Sequence, residues 1–176
     1  MIDDRISQAS YMLDETYYMF SDERLTKRYL KHILANSSNV DEAIRRITRI
    51  QNRVITLGNY ANDGIDRLND YEDSANFQNS VVSIPNFKKI DSFYENDEIQ
   101  NDFCKYLKNE APTAQLQSTT RQCEFIRISC DEMMKQVRSY YLGLQQHEKT
   151  QQAIVKKQME RTRSADLQIY RNLKVN

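Results

Sequence analysis

Two histidines, three cysteines and a few neighbouring carboxylates are the side chains with catalytic or metal-binding options, and their spacing closes most of those options. His32 and His147 each lack a second His or Cys at ligand spacing, so a tetrahedral zinc set cannot be assembled from local motifs. Cys123 and Cys130 stand two helical turns apart, too far along one axis for a disulfide between them, and Cys104 makes the number odd. Free thiols in a reducing compartment, cytoplasm or nucleus, are the expectation. Asp14 and Glu15, like Asp97 and Glu98, are sequence neighbours that leave a helix on different sides, which rules out an acid–base couple. Neither GxxxxGK[ST] nor GxGxxG occurs, and no acidic run has the spaced oxygens and central Gly of an EF-hand. No catalytic residue, metal, cofactor or small-molecule substrate is expected.

The chemistry that remains is electrostatic. On a helical projection Lys149, Lys156, Arg163, Arg171 and Lys174 fall within an arc of about 80°, with Lys157 and Arg161 beside it. Ile154, Val155, Met159, Ile169 and Leu173 lie opposite. Such a basic amphipathic face suits nucleic-acid phosphates, anionic lipid heads or an acidic protein surface, unless it is simply the solvated side of a packed helix. An acidic protein is favoured over nucleic acid, because Gln151, Gln158 and Asp166 interrupt the apolar side and no aromatic stacking platform is interleaved with the cations.

The elements that carry these residues are legible as apolar periodicity. Ile2, Ile6, Ala9, Leu13, Thr16 and Phe20 recur at steps of four and three, a heptad seam. Leu25, Tyr29, Ile33 and Leu34 follow out of register, so a helix over 2–35 is expected to break near Ser21. Asn39 with Glu42 three residues on predicts a capped start for a second helix, 40–73, whose seam is Val40, Ile44, Ile47, Gln51, Val54, Gly58, Ala61, Ile65 and Leu68. Gln51 interrupts that seam and either fixes register or reaches the surface; Gly58 and Ala61 allow close backbone approach. Residues 74–91 lose periodicity and read as a loop with apolar anchors Phe77, Val81, Val82, Ile84 and Phe87. A helix over 92–109 presents Ile99, Phe103, Tyr106 and Leu107, and Pro112 stops it. The stretch 113–173 contains one Gly and no Pro, and reads as one long helix. Its seam of Ile126, Cys130, Met133, Val137, Tyr140 and Leu144 then weakens at His147 and Gln151.

Composition agrees with helix throughout. Three Gly and two Pro in 176 residues leave a sheet protein without its turn chemistry. No run of about 18 apolar residues is present to span a bilayer, and the first 20 residues contain Asp3, Asp4, Asp14 and Glu15, unlike a signal or transit peptide. Formal charge is zero but segregated: residues 1–24, 25–60, 61–111 and 112–176 carry −4, +5, −6 and +5. Blocks of alternating sign suit helices that lie against one another, or against a second copy, with opposite charges facing.

The expected fold is all-α: an elongated antiparallel helical bundle, or coiled coil, of four to five helices with a long C-terminal helix. It forms one domain over 1–176, with a bundle core at about 1–145 and a basic amphipathic extension at about 146–174. The expected role is non-catalytic: a scaffold, adaptor or assembly subunit that binds a helical protein, or itself, through coiled-coil-like seams. Ile44, Ile47, Gln51, Val54 and Ile65 on the second helix and Ile154, Val155, Met159 and Ile169 on the last are the candidate contacts. Two alternatives stand beside it: binding of nucleic acid or anionic membrane through the basic helix, and an effector or viral accessory protein that binds host helical proteins.

Overall fold

A computed structural model describes residues 4–68 and 84–175, the side chains of Lys174 and Val175 excepted. These residues form six helices and no strand: α1 (Asp4–Ser21), α2 (Glu23–Ala35), α3 (Val40–Arg67), α4 (Phe87–Glu95), α5 (Asp97–Asn109) and α6 (Thr113–Val175). The chain divides into two compact units, 1–137 and 138–176.

Short polar side chains set most of the helix starts. The break expected near Ser21 falls at Asp22, whose Oδ1 accepts from the amides of Arg24 and Leu25 at 2.9 and 3.2 Å. Asn39 Oδ1 accepts from Glu42 N at 2.9 Å, and Glu42 reaches back to accept from Ser38 N at 2.8 Å. That backbone donor holds the exposed Glu42 carboxyl below its ordinary value. Asn86 and Asn96 cap α4 and α5 through the amides of Lys89 and Ile99. These two caps correct the sequence expectation. Residues 87–91, read as loop, are helical, and the single helix over 92–109 is two helices divided at Asn96. The cause is the same in both places: an Asn oxygen competes for the first free amides and restarts the helix. Ile84 is exposed and Pro85 buried, while Phe77, Val81 and Val82 lie outside the described residues.

Paired residues give the directions within 1–137. Gln51 Nε2 donates to Asp131 Oδ1 at 2.7 Å, Thr48 to Met134 Sδ at 3.5 Å, and Gly58 faces Cys123, so α3 and α6 are antiparallel. Ser10 with Gln115 and Asp14 with Gln122 run in step, making α1 parallel to α6. Arg53 with Asp97 and Arg67 with Lys108 make α5 parallel to α3. Of these four helices α1 and α6 run one way and α3 and α5 the other.

The core of this unit is built from the anticipated stripes. Ile6, Ala9, Leu13, Thr16 and Phe20 are buried, as are Phe103, Tyr106, Leu107, Ile126, Cys130, Met133 and Val137. On α3 the buried stripe is Ala43, Ile47, Ile50, Val54, Leu57, Ala61 and Gly64: Ile47, Val54 and Ala61 hold their seam positions, while Ala43, Ile50, Leu57 and Gly64 are buried in place of Ile44, Gln51, Gly58 and Ile65. The helix has α5 on one side and α6 on another, so the buried arc centres between them, and Ile44, Gln51, Gly58 and Ile65 fall at its half-buried edge. Close approach occurs at Gly64, not Gly58. A Cβ on Gly64 would lie 2.3 Å from Leu107 O and 2.9 Å from a Leu116 methyl, whereas one on Gly58 would meet Cys123 Cβ at an ordinary 3.5 Å.

The charge blocks face one another inside this unit. Arg49 pairs with Glu95 at 3.2 Å and Arg53 with Asp97, joining the +5 and −6 blocks. Arg53 also donates to Tyr94 O. Arg5 pairs with Glu98 and Asp102 at 3.2 and 3.1 Å. Each exposed pair contributes only about 0–1 kcal/mol, so they select which helices meet more than they hold them together.

Candidate functional site

Three places in the molecule gather polar or exposed side chains. The first is a shallow cleft of about 410 Å³ between α3 and α6, lined by Ile55, Gly58, Asn62, Thr120, Cys123 and Glu124. Burial pushes the Cys123 thiol well above its ordinary value, so it stays protonated and un-nucleophilic. Cys130, deeper on the same helix, is pushed up to about 12 by burial and by the neighbouring Asp131. All three cysteines are free and buried.

The second is a polar cluster between α2 and α4. Tyr29 donates to Asp91 Oδ1 at 2.5 Å, His32 Nε2 meets Asp91 Oδ2 at 2.7 Å, and Phe87 lies against both rings at 5.3 and 5.5 Å. Burial first, and then the Asp91 carboxylate, raise the Tyr29 hydroxyl well above its ordinary value. With Tyr29 wholly buried and no nucleophile within the triad, the arrangement ties α2 to α4 and holds Asp91 fully bonded. His32 is thus half-buried and partnered. Sequence reading missed the cluster because Asp91 was assigned to a loop; the Tyr29–His32 spacing, one turn on one face, was its only local signal. A parallel set on α1 was also missed. Ser10 accepts from Gln115, which accepts from Tyr106, both at 2.5 Å, while Asp14 accepts from Gln122 and Glu15 from the Asn86 amide. Asp14 and Glu15 do leave the helix toward different neighbours. Among the described residues no group of three or more His, Cys, Asp or Glu is placed to hold a metal ion.

The third place is the second unit, residues 138–176. From Arg138 to Leu173 every residue is exposed except Tyr141, which is half-buried. Yet this helix carries Tyr140, Leu144, Ile154, Val155, Met159, Ile169 and Leu173, exposed by 44 to 72 %. These seven lie within an arc of about 140° on the helical projection. Leu142 and Leu167 stand singly on the other side, as scattered surface apolar residues ordinarily do. Of the basic residues named from the sequence, Lys149, Lys156, Lys157, Arg161, Arg163 and Arg171 are all exposed. None of these six joins an ion pair among the described residues. The Lys174 side chain lies outside the described set. The unit carries eight basic and three acidic residues, a net +5, and the neutrality of the whole chain leaves −5 on residues 1–137.

The candidate contacts read from sequence thus separate. Ile47 and Val54 are wholly buried in the first unit, Ile44, Gln51 and Ile65 sit at its half-buried edge, and Ile154, Val155, Met159 and Ile169 are open. Gln51 is spent inside the bundle, donating to Arg127 O at 3.1 Å as well as to Asp131. No protein-family model matches the chain. No curated protein and no solved structure is significantly similar to it either. No helix among the described residues is long and apolar enough to cross a membrane.

Proposed function

We propose that this protein is a non-catalytic scaffold, adaptor or assembly subunit that binds a helical partner along the apolar stripe of residues 138–173. One observation carries the reading: the 138–173 segment of α6 has no buried residue yet keeps seven large apolar side chains on one side. In globular proteins an apolar helical stripe is ordinarily what tertiary or quaternary packing covers, and packing supplies most of a helix's stability. Tyr140, Leu144 and Ile154 keep the four-and-three frame of a coiled-coil seam, with Gln151 and Gln158 as polar interruptions in it. The three free, buried thiols support a reducing compartment, cytoplasm or nucleus.

The test is quantitative capture from the source cells with the intact chain and with a Val155→Asp/Ile169→Asp variant. Proteins recovered by the first and depleted at least about tenfold with the second support the proposal, since each buried apolar anchor contributes about 2 kcal/mol or more. Equal recovery would overturn it. A second reading, contact with nucleic acid or anionic membrane, is favoured by the six cations that form no ion pair. It requires binding to duplex DNA or acidic vesicles that falls steeply with salt and is lost in Lys156→Glu/Arg163→Glu/Arg171→Glu, while the stripe variant binds normally.

A further inference from the structure

We infer that the basic side of residues 138–174 binds the phosphates of duplex DNA, on the side of the helix away from the apolar stripe; this rests on the second reading above and narrows it to one class of ligand. The placement of charge around the helix carries it. All eight basic residues of the unit fall within an arc of about 160°, from Arg163 round to Arg161, centred opposite the seven apolar side chains. Of its three acids only Glu160 shares that arc, while Glu148 and Asp166 lie among the apolar residues. The basic side therefore carries a net +7, eight cations less one acid, and the apolar side two acids and no cation. Lys149, Lys156, Lys157, Arg161, Arg163 and Arg171 are open to an incoming anion, being exposed and outside every ion pair among the described residues.

That placement selects among polyanions. A helix lying in an anionic bilayer buries its apolar side and reaches the headgroups from its flanks. Here the cations point away from whatever the apolar side enters, and that side would carry Glu148 and Asp166 in with it. An acidic protein surface needs an apolar centre that excludes water. On the basic side only Leu142 and Leu167 are large and apolar, and about 38 Å of helix separates them. Phosphodiester needs no such centre, because release of condensed counterions supplies the affinity. Single strands call for stacking aromatics, and the basic arc holds none. Duplex DNA makes no such demand, and its major groove, about 12 Å wide, admits an α-helix. Within two turns Lys156 and Arg163 stand on one flank of the basic side and Lys157 and Arg161 on the other, about 100–160° round the helix. The two pairs suit the two phosphate walls of that groove, and Ala153, Glu160 and Ser164 stand between them, away from both walls.

The experiment titrates the purified full-length chain into a short labelled DNA duplex of mixed sequence and follows fluorescence anisotropy at several salt concentrations. The association constant is expected to fall along a log–log slope of about −5, which is about −0.9 for each of five or six phosphate contacts. Lys156→Glu/Arg163→Glu/Arg171→Glu is expected to weaken binding at least about tenfold and to flatten the slope by about three. Val155→Asp/Ile169→Asp is expected to bind DNA as the parent chain does, since it changes only the opposite side. Both variants alter exposed residues alone, so unchanged melting of residues 1–137 is the control. A flat salt response, equal binding by the triple variant, or preference for the single strand would overturn the assignment to duplex DNA. Capture of an acidic protein by the basic side, with no DNA bound, would overturn it likewise. Salt-dependent binding to acidic vesicles without binding to DNA also overturns it, and leaves the second reading standing in its membrane form. Absence of both brings that reading down too. Stripe-dependent capture of a helical partner is untouched by any of these outcomes.

Discussion

Helix α6 contains two regions written in similar apolar periodicity that end in opposite surroundings. In residues 113–137 the stripe of Ile126, Cys130, Met133 and Val137 is buried, and Gln115, Gln122, Arg127 and Asp131 find partners on other helices or within α6. In residues 138–173 a comparable stripe is open and the cations join no ion pair among the described residues. Intrinsic propensity does not separate them. The second region is rich in Gln, Lys, Arg, Leu and Ala, good helix formers, and keeps its helix with a single Gly. What separates them is cover, and cover decides which substitutions act on folding and which act on association. Charge makes the same division: Arg49 and Arg53 of the +5 block pair with Glu95 and Asp97 of the −6 block and residues 1–137 keep a net −5, while residues 112–137 are neutral and the final +5 lies wholly in 138–176.

The comparison breaks most sharply at equivalent valines. Val54→Asp places a carboxylate at a wholly buried site and is expected to cost about 4 kcal/mol or more, enough to unfold most of the 1–137 unit. Val155→Asp, on the open stripe, is expected to change the melting of that unit by less than about 0.5 kcal/mol. Thermal denaturation followed by circular dichroism separates the two, and equal losses would erase the distinction. Two glycines sharpen it further. Gly64→Ala drives a methyl group into the Leu107 carbonyl and is expected to cost about 3 kcal/mol. Gly143→Ala meets nothing within 4 Å and is expected to stabilise its helix by about 1 kcal/mol, visible as slower amide exchange around residue 143.

A further expected effect is alkaline. Tyr29 and Tyr94 are raised by burial above their ordinary value of 10.0, and Cys123 and Cys130 above 9.0. All four are neutral when protonated, and the unfolded chain releases those protons first. Stability is therefore full below about pH 9 and declines as pH rises further, through the deprotonation values of the unfolded chain. The melting temperature of the 1–137 unit should fall between pH 9 and 11. A flat profile would contradict the burial of these groups.

Much of the fold was legible in residue order. The break at Asp22, the cap at Asn39, the end before Pro112 and the length of α6 follow from side-chain oxygens, missing amides and apolar spacing within a few residues. The caps at Asn86 and Asn96 were legible in principle, since Asn96 is followed by Asp97 and Glu98 as a helix start would be, but a weak apolar period on either side hid them. The apolar side of Ile154, Val155, Met159, Ile169 and Leu173 and the basic face opposite it were named from residue order, whereas Tyr140 and Leu144 were assigned to the seam of a bundle core reaching about residue 145. The shift of the α3 stripe from Ile44, Gln51 and Ile65 toward Ile50, Leu57 and Gly64 was not, because a heptad pattern names a face without saying how many neighbours will share it.

By itself the sequence determined helices, where most of them start and stop, and which sides are apolar, because those properties depend on atoms no more than about a turn apart. Only the tertiary structure decided that Tyr29 and His32 close on Asp91, that Gln51 reaches Asp131, and that α3 and α5 run the same way. It alone decided, too, that the stripe of α3 is covered and that of 138–173 open. The reason is that each apolar stripe is written locally, but its covering comes from residues tens of positions away, whose meeting is fixed by the packing of the whole.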